Sequence, residues 1–137
     1  MQREALFLNN YIELMRLRYS SRVSISLDMP EMMPDVMLPP LLLIIFVENA
    51  FKHGVSYAAP SFIDIKVEVT QDKLKFRCRN SRQEQKPDEK KKKGGVGLAN
   101  ARRRLDLLFP HRYNLEIKEN DKEYDVQLEI PLSKNNS

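Results

Sequence analysis

Asn49, Lys52 and His53 stand at i, i+3 and i+4 in the run Val47-Glu48-Asn49-Ala50-Phe51-Lys52-His53-Gly54. On a helix, that spacing puts an amide, an ammonium and an imidazole on one face. An amide oxygen is a hard ligand suited to a magnesium ion that also holds phosphates, and a lysine neutralises phosphate as a point charge. Asn49 follows a wholly apolar run and is drawn inward with it, so its amide must be paired. Taken alone, the same residues also fit a core asparagine beside a Glu48–Lys52 surface pair at i, i+4.

A second run, Gly94-Gly95-Val96-Gly97-Leu98, leads from a charged stretch into a helix. Residues without side chains let backbone N–H groups approach phosphate oxygens, and the helix start adds favourable partial charge. A flexible hinge before a helix reads the same way. The run is neither of the common glycine fingerprints, G-x-G-x-x-G or G-x-x-x-x-G-K-[ST].

These residues need elements to hold them. Residues 3–20 predict a helix with Leu6, Tyr11, Leu14, Met15 and Leu17 as its apolar stripe. Val23, Ile25 and Leu27 alternate with serines, as a half-buried strand does. Residues 29–40 hold four of the eight prolines and form a connector, and Pro39-Pro40 opens a second helix that runs to Lys52 or His53. Ile63, Ile65, Val67 and Val69 alternate with charged residues, as do Leu74, Phe76 and Cys78, which predicts a hairpin. Residues 81–95 are polar, charged and without period, so a mobile loop is expected there. Residues 96–108 predict a third helix with Leu98, Ala101, Leu105 and Leu108 inward, stopped by Pro110. A last hairpin turns at Asn120-Asp121-Lys122. The order α-β-α-β-β-loop-α-β-β predicts an α+β two-layer sandwich, a mixed sheet with about three helices on one face.

With 137 residues, 42% hydrophobic and 31% charged, the chain forms one domain of ordinary globular composition. The net charge of +4 is mild and partly local, since residues 90–93 are all lysine. A nucleic-acid binder would interleave aromatics with its basic residues, and this chain does not. The single cysteine, Cys78, rules out an intrachain disulfide and fits a reducing compartment. The longest apolar run, residues 41–47, is far short of the roughly 20 residues of a membrane helix, so no direct membrane contact is expected.

Leu38-Pro39-Pro40-Leu41-Leu42-Leu43, the Asn49 run, and Gly95-Val96-Gly97-Leu98-Ala99-Asn100-Ala101-Arg102-Arg103-Arg104-Leu105 together resemble the LytS-type sensor histidine kinases. Their ATP-binding domain has the Bergerat-type fold that histidine kinases share with gyrase-type ATPases. The run-in Tyr11-Ile12-Glu13-Leu14-Met15-Arg16-Leu17-Arg18-Tyr19 is similar to the segment those proteins place before that domain. The resemblance implies a helical lead-in over 1–20, an ATP-binding domain over 21–132 and a disordered tail over 133–137.

It also implies ATP and Mg²⁺ as ligands. Asn49 matches the asparagine that coordinates the metal, Lys52 a residue that approaches phosphate, and His53 a residue lining the nucleotide. Gly95, Gly97 and Leu98 match the glycine box, and residues 82–93 the ATP lid. Asn80 stands where the family carries an aspartate that binds adenine, without that charge and without the glycine that follows it. Ile45 stands where many histidine kinases have a further asparagine. Glu48 is the carboxylate beside Asn49 that can assist a base. The only histidines are His53 and His111, and neither lies in an acceptor-type helix. The implied activity is therefore phosphoryl transfer to a histidine outside this chain, and from there to a response regulator. This fragment alone is not expected to autophosphorylate. The implied setting is cytoplasmic, with a parent protein anchored in the inner membrane. The alternative is a nucleotide-independent pseudokinase of the same fold that docks partners.

Overall fold

Period-two alternation builds the sheet. In the computed structural model, which describes residues 2–19, 23–30, 36–37, 42–54, 61–70, 72–81 and 96–134, the strands are β1 (Val23–Asp28), β2 (Val36–Met37), β3 (Ser61–Val69), β4 (Lys73–Ser81), β5 (Asn114–Glu119), β6 (Glu123–Pro131) and β7 (Ser133–Lys134). The helices are α1 (Gln2–Tyr19), α2 (Leu42–Gly54) and α3 (Val96–Leu108). Five strands form one mixed sheet in the order β1-β3-β4-β6-β5. β1 runs parallel to β3, with Ile25 opposite Ile63, and every other neighbour in this sheet is antiparallel. A parallel pair needs a crossover, and α2 supplies it.

One face of the sheet is apolar. Ile63, Ile65 and Val67, then Leu74, Phe76 and Cys78, then Tyr124, Val126, Leu128 and Ile130 are buried there. The other face is charged: Asp64 lies opposite Arg79, which lies opposite Asp125, and Glu68 lies opposite Lys75, which lies opposite Glu129, while Lys66 lies opposite Arg77 and pairs with Glu68 on its own strand at 3.0 Å. Arg77 grips Asp125 through two bonds of 3.1 and 2.8 Å, and Arg79 reaches Glu123 at 2.8 Å. Exposed pairs of this kind contribute little each, and the register is held mainly because a one-residue slip would turn the apolar residues of the slipped strand outward.

The helices cover the apolar face. α2 packs on β3 and β4 and brings Leu42, Leu43, Ile44, Phe46, Val47, Ala50 and Phe51 into the core. α3 packs on α2 through Leu98, Ala101 and Leu105. The expected two-layer α+β architecture is therefore the observed one.

Four local expectations change. In α1 the inward residues are Leu8 and Ile12, flanked by Tyr11, Met15 and Tyr19. Leu6, Leu14 and Leu17 of the expected stripe are exposed. α1 carries two apolar stripes on opposite sides, and the one that meets β1 and the rings of α2 is buried. Leu108 is exposed as well, because the chain turns at the end of α3 and Phe109 packs inward in its place while its N–H still reaches the Leu105 carbonyl at 2.8 Å. The proline-rich connector contains β2. The tail expected to be disordered begins with β7, and the two pair antiparallel, Val36 with Lys134 and Met37 with Ser133. Two short segments remote in sequence satisfy each other's backbone groups, which no local pattern announces. The Pro39-Pro40 helix opening, the loop over 82–95 and residues 135–137 lie outside the described residues.

Candidate functional site

The C-terminal half of α2 meets the core on one side only. Ala50 and Phe51 are buried, Asn49 is half-buried, and Glu48 and Lys52 are exposed. His53 is helical in its backbone, but its side chain lies outside the described residues. Glu48 and Lys52 share a groove of about 400 Å³ with Tyr11, Met15, Arg18, Tyr19 and Phe51. The Glu48–Lys52 pair expected from i, i+4 spacing is not among the ion pairs of the described residues. Glu48 instead bears on Tyr11: burial raises that phenol's pKa, and the Glu48 carboxylate raises it further.

Gly97 lies in the first turn of α3, the helix that packs on α2. Leu98 beside it is buried in the same cluster as Val47, Ala50 and Phe51. Its side chain therefore anchors the helix start and leaves only its backbone for a ligand. Gly95 lies outside the described residues. The structure thus brings the helix of Asn49 and Lys52 against the helix that begins at the glycines.

A further candidate group is at the end of β4. Asn80 is on the helix-facing side of the sheet, between Ile63 and Tyr124, and is 2% exposed. Its Nδ2 donates to the Ser81 carbonyl oxygen at 2.8 Å. The Ser81 hydroxyl oxygen accepts from the Phe62 N–H at 3.0 Å. Ser61, Asn80 and Ser81 are the buried polar side chains among the described residues, and all three lie at one end of the β3–β4 pair. That end leads through residues 55–60 from α2 and through residues 82–95 to α3. Buried polar groups are costly unless bonded, so their gathering at one edge of an otherwise apolar core marks the chemically distinct end of the molecule. Sequence reasoning singled out Asn80 and missed Ser81. The only signal for Ser81 was a short hydroxyl residue directly after a strand-end asparagine.

Among the described residues no group of three His, Cys, Asp or Glu could hold a metal ion. A metal here would take the Asn49 amide oxygen and draw its remaining ligands from phosphate and water. Mg²⁺ accepts such a set, because it keeps several waters and commonly binds through few protein groups.

No family model matches the sequence. It is 25% identical over 144 residues to the sensor protein LytS of Oceanobacillus iheyensis, an alignment covering 96% of this chain and 25% of that protein. The chain therefore spans a quarter of that relative's length. Among solved structures, the histidine kinase domain of the Erythrobacter litoralis blue-light activated histidine kinase superposes with a TM-score of 0.65 at 15% identity, covering 92% of this chain and 59% of that one. A nucleotide-free catalytic domain of the histidine kinase ThkA gives 0.59 at 16%, covering 90% and 93%. Full-length ShkA in complex with AMPPNP gives 0.66 at 16%, covering 95% and 30%. The fold is that of the catalytic domain of histidine kinases.

Proposed function

We propose that this chain is the ATP-binding catalytic domain of a two-component sensor histidine kinase of the LytS type. It binds Mg-ATP for phosphoryl transfer to a histidine outside this chain, which then serves a response regulator. The observation that carries the reading is the packing of α2, with Asn49 half-buried near its end, against α3, whose first turn holds Gly97, and on β4, which ends in the buried Asn80.

The roles follow from chemistry. Adenine enters at the β4 end, where the Asn80 amide oxygen accepts a hydrogen bond from its amino group. The triphosphate lies along the start of α3, where backbone N–H groups at Gly95, Gly97 and Leu98 meet its oxygens. Lys52 neutralises phosphate charge, with His53 alongside the nucleotide. Asn49 holds Mg²⁺, which when bound offsets the charge of the phosphate oxygens. Glu48 is exposed beside this group and assists proton removal from the incoming imidazole. Catalysis in such a domain is mainly positioning and charge neutralisation. No helix among the described residues is long and apolar enough to cross a membrane. We place the domain in the cytoplasm, with a parent chain anchored in the inner membrane.

Calorimetry with ADP tests this. Binding in the micromolar range with Mg²⁺ is expected, weakened about tenfold by Asn49→Ala, a loss of some 1.4 kcal/mol. In EDTA the two proteins should bind alike, because Asn49 acts through the metal. A flat titration at millimolar ADP would leave only the partner-docking alternative.

A further inference from the structure

The helix that carries Asn49 and Lys52 is held from behind by α1. Phe51 is 4% exposed. The Tyr19 ring stacks on it with centroids 6.0 Å apart and planes 15° from parallel, and the Tyr11 ring meets it edge-on at 5.8 Å and 74°. The Arg18 guanidinium lies 5.3 Å from the centre of the Tyr19 ring. Residues two apart on a helix point about 200° apart, so α1 grips the side of α2 opposite to Asn49. Lys52 lies between the two sides and lines the α1 groove itself.

We propose that Tyr11 and Tyr19 are positioning residues for the nucleotide site. Through Phe51 they set where α2 places Asn49 and Lys52, so docking of α1 and occupation of the site favour each other. This rests on the nucleotide reading above. Three observations carry the coupling. The ring contacts fall on the same turns as Asn49 and Lys52, and a helix moves as a rigid rod over one turn. Stacked and edge-on rings tolerate little displacement before contact is lost. The middle of α1 is anchored in the core by Leu8 and Ile12, and Arg16 reaches the Ile25 carbonyl at 3.2 Å on the edge strand β1, so the helix that carries the two rings has a fixed position relative to the sheet. A shift of the last turns of α1 at this ring cluster is therefore passed to the ligand-bearing helix through Phe51. Its displacement then reads out at the ligand. Linkage makes the effect reciprocal.

The experiment uses the full chain with Mg²⁺ and ADP. Affinity by calorimetry is compared for the wild type, Tyr19→Phe and Tyr19→Ala, with hydrogen exchange of the α1 amides followed with and without Mg-ADP. Tyr19→Ala is expected to bind about tenfold more weakly, and Tyr19→Phe, which keeps the ring, to bind within about twofold of wild type. Mg-ADP is expected to slow α1 exchange in the wild type and to lose that effect in Tyr19→Ala. Should Tyr19→Ala not fold, Tyr19→Leu and the wild-type exchange measurement carry the test. A wild type that binds ADP, with folded variants binding equally well or α1 exchange indifferent to Mg-ADP, overturns the coupling and leaves the nucleotide reading standing. A wild type that binds no ADP overturns both.

Discussion

The side-chain nitrogen of Asn80 donates to the main-chain oxygen of Ser81 at 2.8 Å, where the asparagine is almost wholly buried. An aspartate at this position has no proton to donate at neutral pH. Its oxygens would face a carbonyl oxygen, with a charge buried on the helix-facing side of the sheet. The local backbone thus suits an amide rather than a carboxylate at this position.

Asn80→Asp is therefore expected to lower unfolding stability by about 1–3 kcal/mol at pH 7. Burial raises the new carboxyl's pKa above its unfolded value. The deficit should shrink as the pH falls from that raised value through the ordinary carboxylate range, below which both states are neutral. Urea unfolding at two pH values checks this, and a variant as stable as wild type at pH 7 would show that the Ser81 bond is not needed.

Asp125 gives the opposite pH signature. Burial alone would raise its pKa, but the two bonds from Arg77, a contact with Gln127 and the charge of Arg79 hold it below the ordinary value. A lowered carboxylate pKa contributes stability that is present above the unfolded pKa and lost as pH falls through the folded one. Asp125→Asn is expected to cost about 1 kcal/mol at pH 7, discounted because Arg77 is half-exposed, and nothing at about pH 2. An equal loss at both pH values would mean the ion pair is not its source.

Cys78 should be inert in the native state. It is fully enclosed on the apolar face of β4, and burial, with the carboxylates of Asp125 and Asp64 behind it, pushes its thiol up to about 12. Only the thiolate reacts at speed. Ellman's reagent at about pH 8, below even the ordinary thiol pKa, is expected to label none of it in the folded chain and one equivalent in denaturant. Rapid native labelling would mean that β4 opens readily.

The orientation of α1 predicts a contrast. Ile12 is 0% exposed and Leu17 is 82% exposed. Ile12→Ala is expected to cost about 2–5 kcal/mol, and Leu17→Ala less than about 0.5 kcal/mol. Thermal unfolding of the two variants checks which stripe is buried, and a reversed order would place α1 the other way round.

The strands were legible because alternation is a property of the backbone. Ile63-Asp64-Ile65-Lys66-Val67 has one apolar face wherever it is placed, and residues 96–108 have a helical period closed by Pro110. The mixed sheet followed from the number and order of such segments. That Asn49 and Lys52 lie on one helix and Gly97 in the first turn of another was legible because the apolar period marks both helices. The inward side of α1 was not legible, since Leu6-Leu14-Leu17 and Leu8-Ile12-Met15 satisfy the same period. The choice falls to Phe51, a ring more than thirty positions along the chain. Nor was the pairing of Val36 and Met37 with Ser133 and Lys134, because two-residue strands have no pattern of their own.

By itself, the sequence determined the elements, the faces they present and the kinds of group available for a ligand, because these depend on neighbours within a turn or a pleat. The tertiary structure alone decided which of two equal stripes is buried, what Asn80 bonds to and which rings back the Asn49 helix. Those outcomes depend on partners that meet only when the chain is folded.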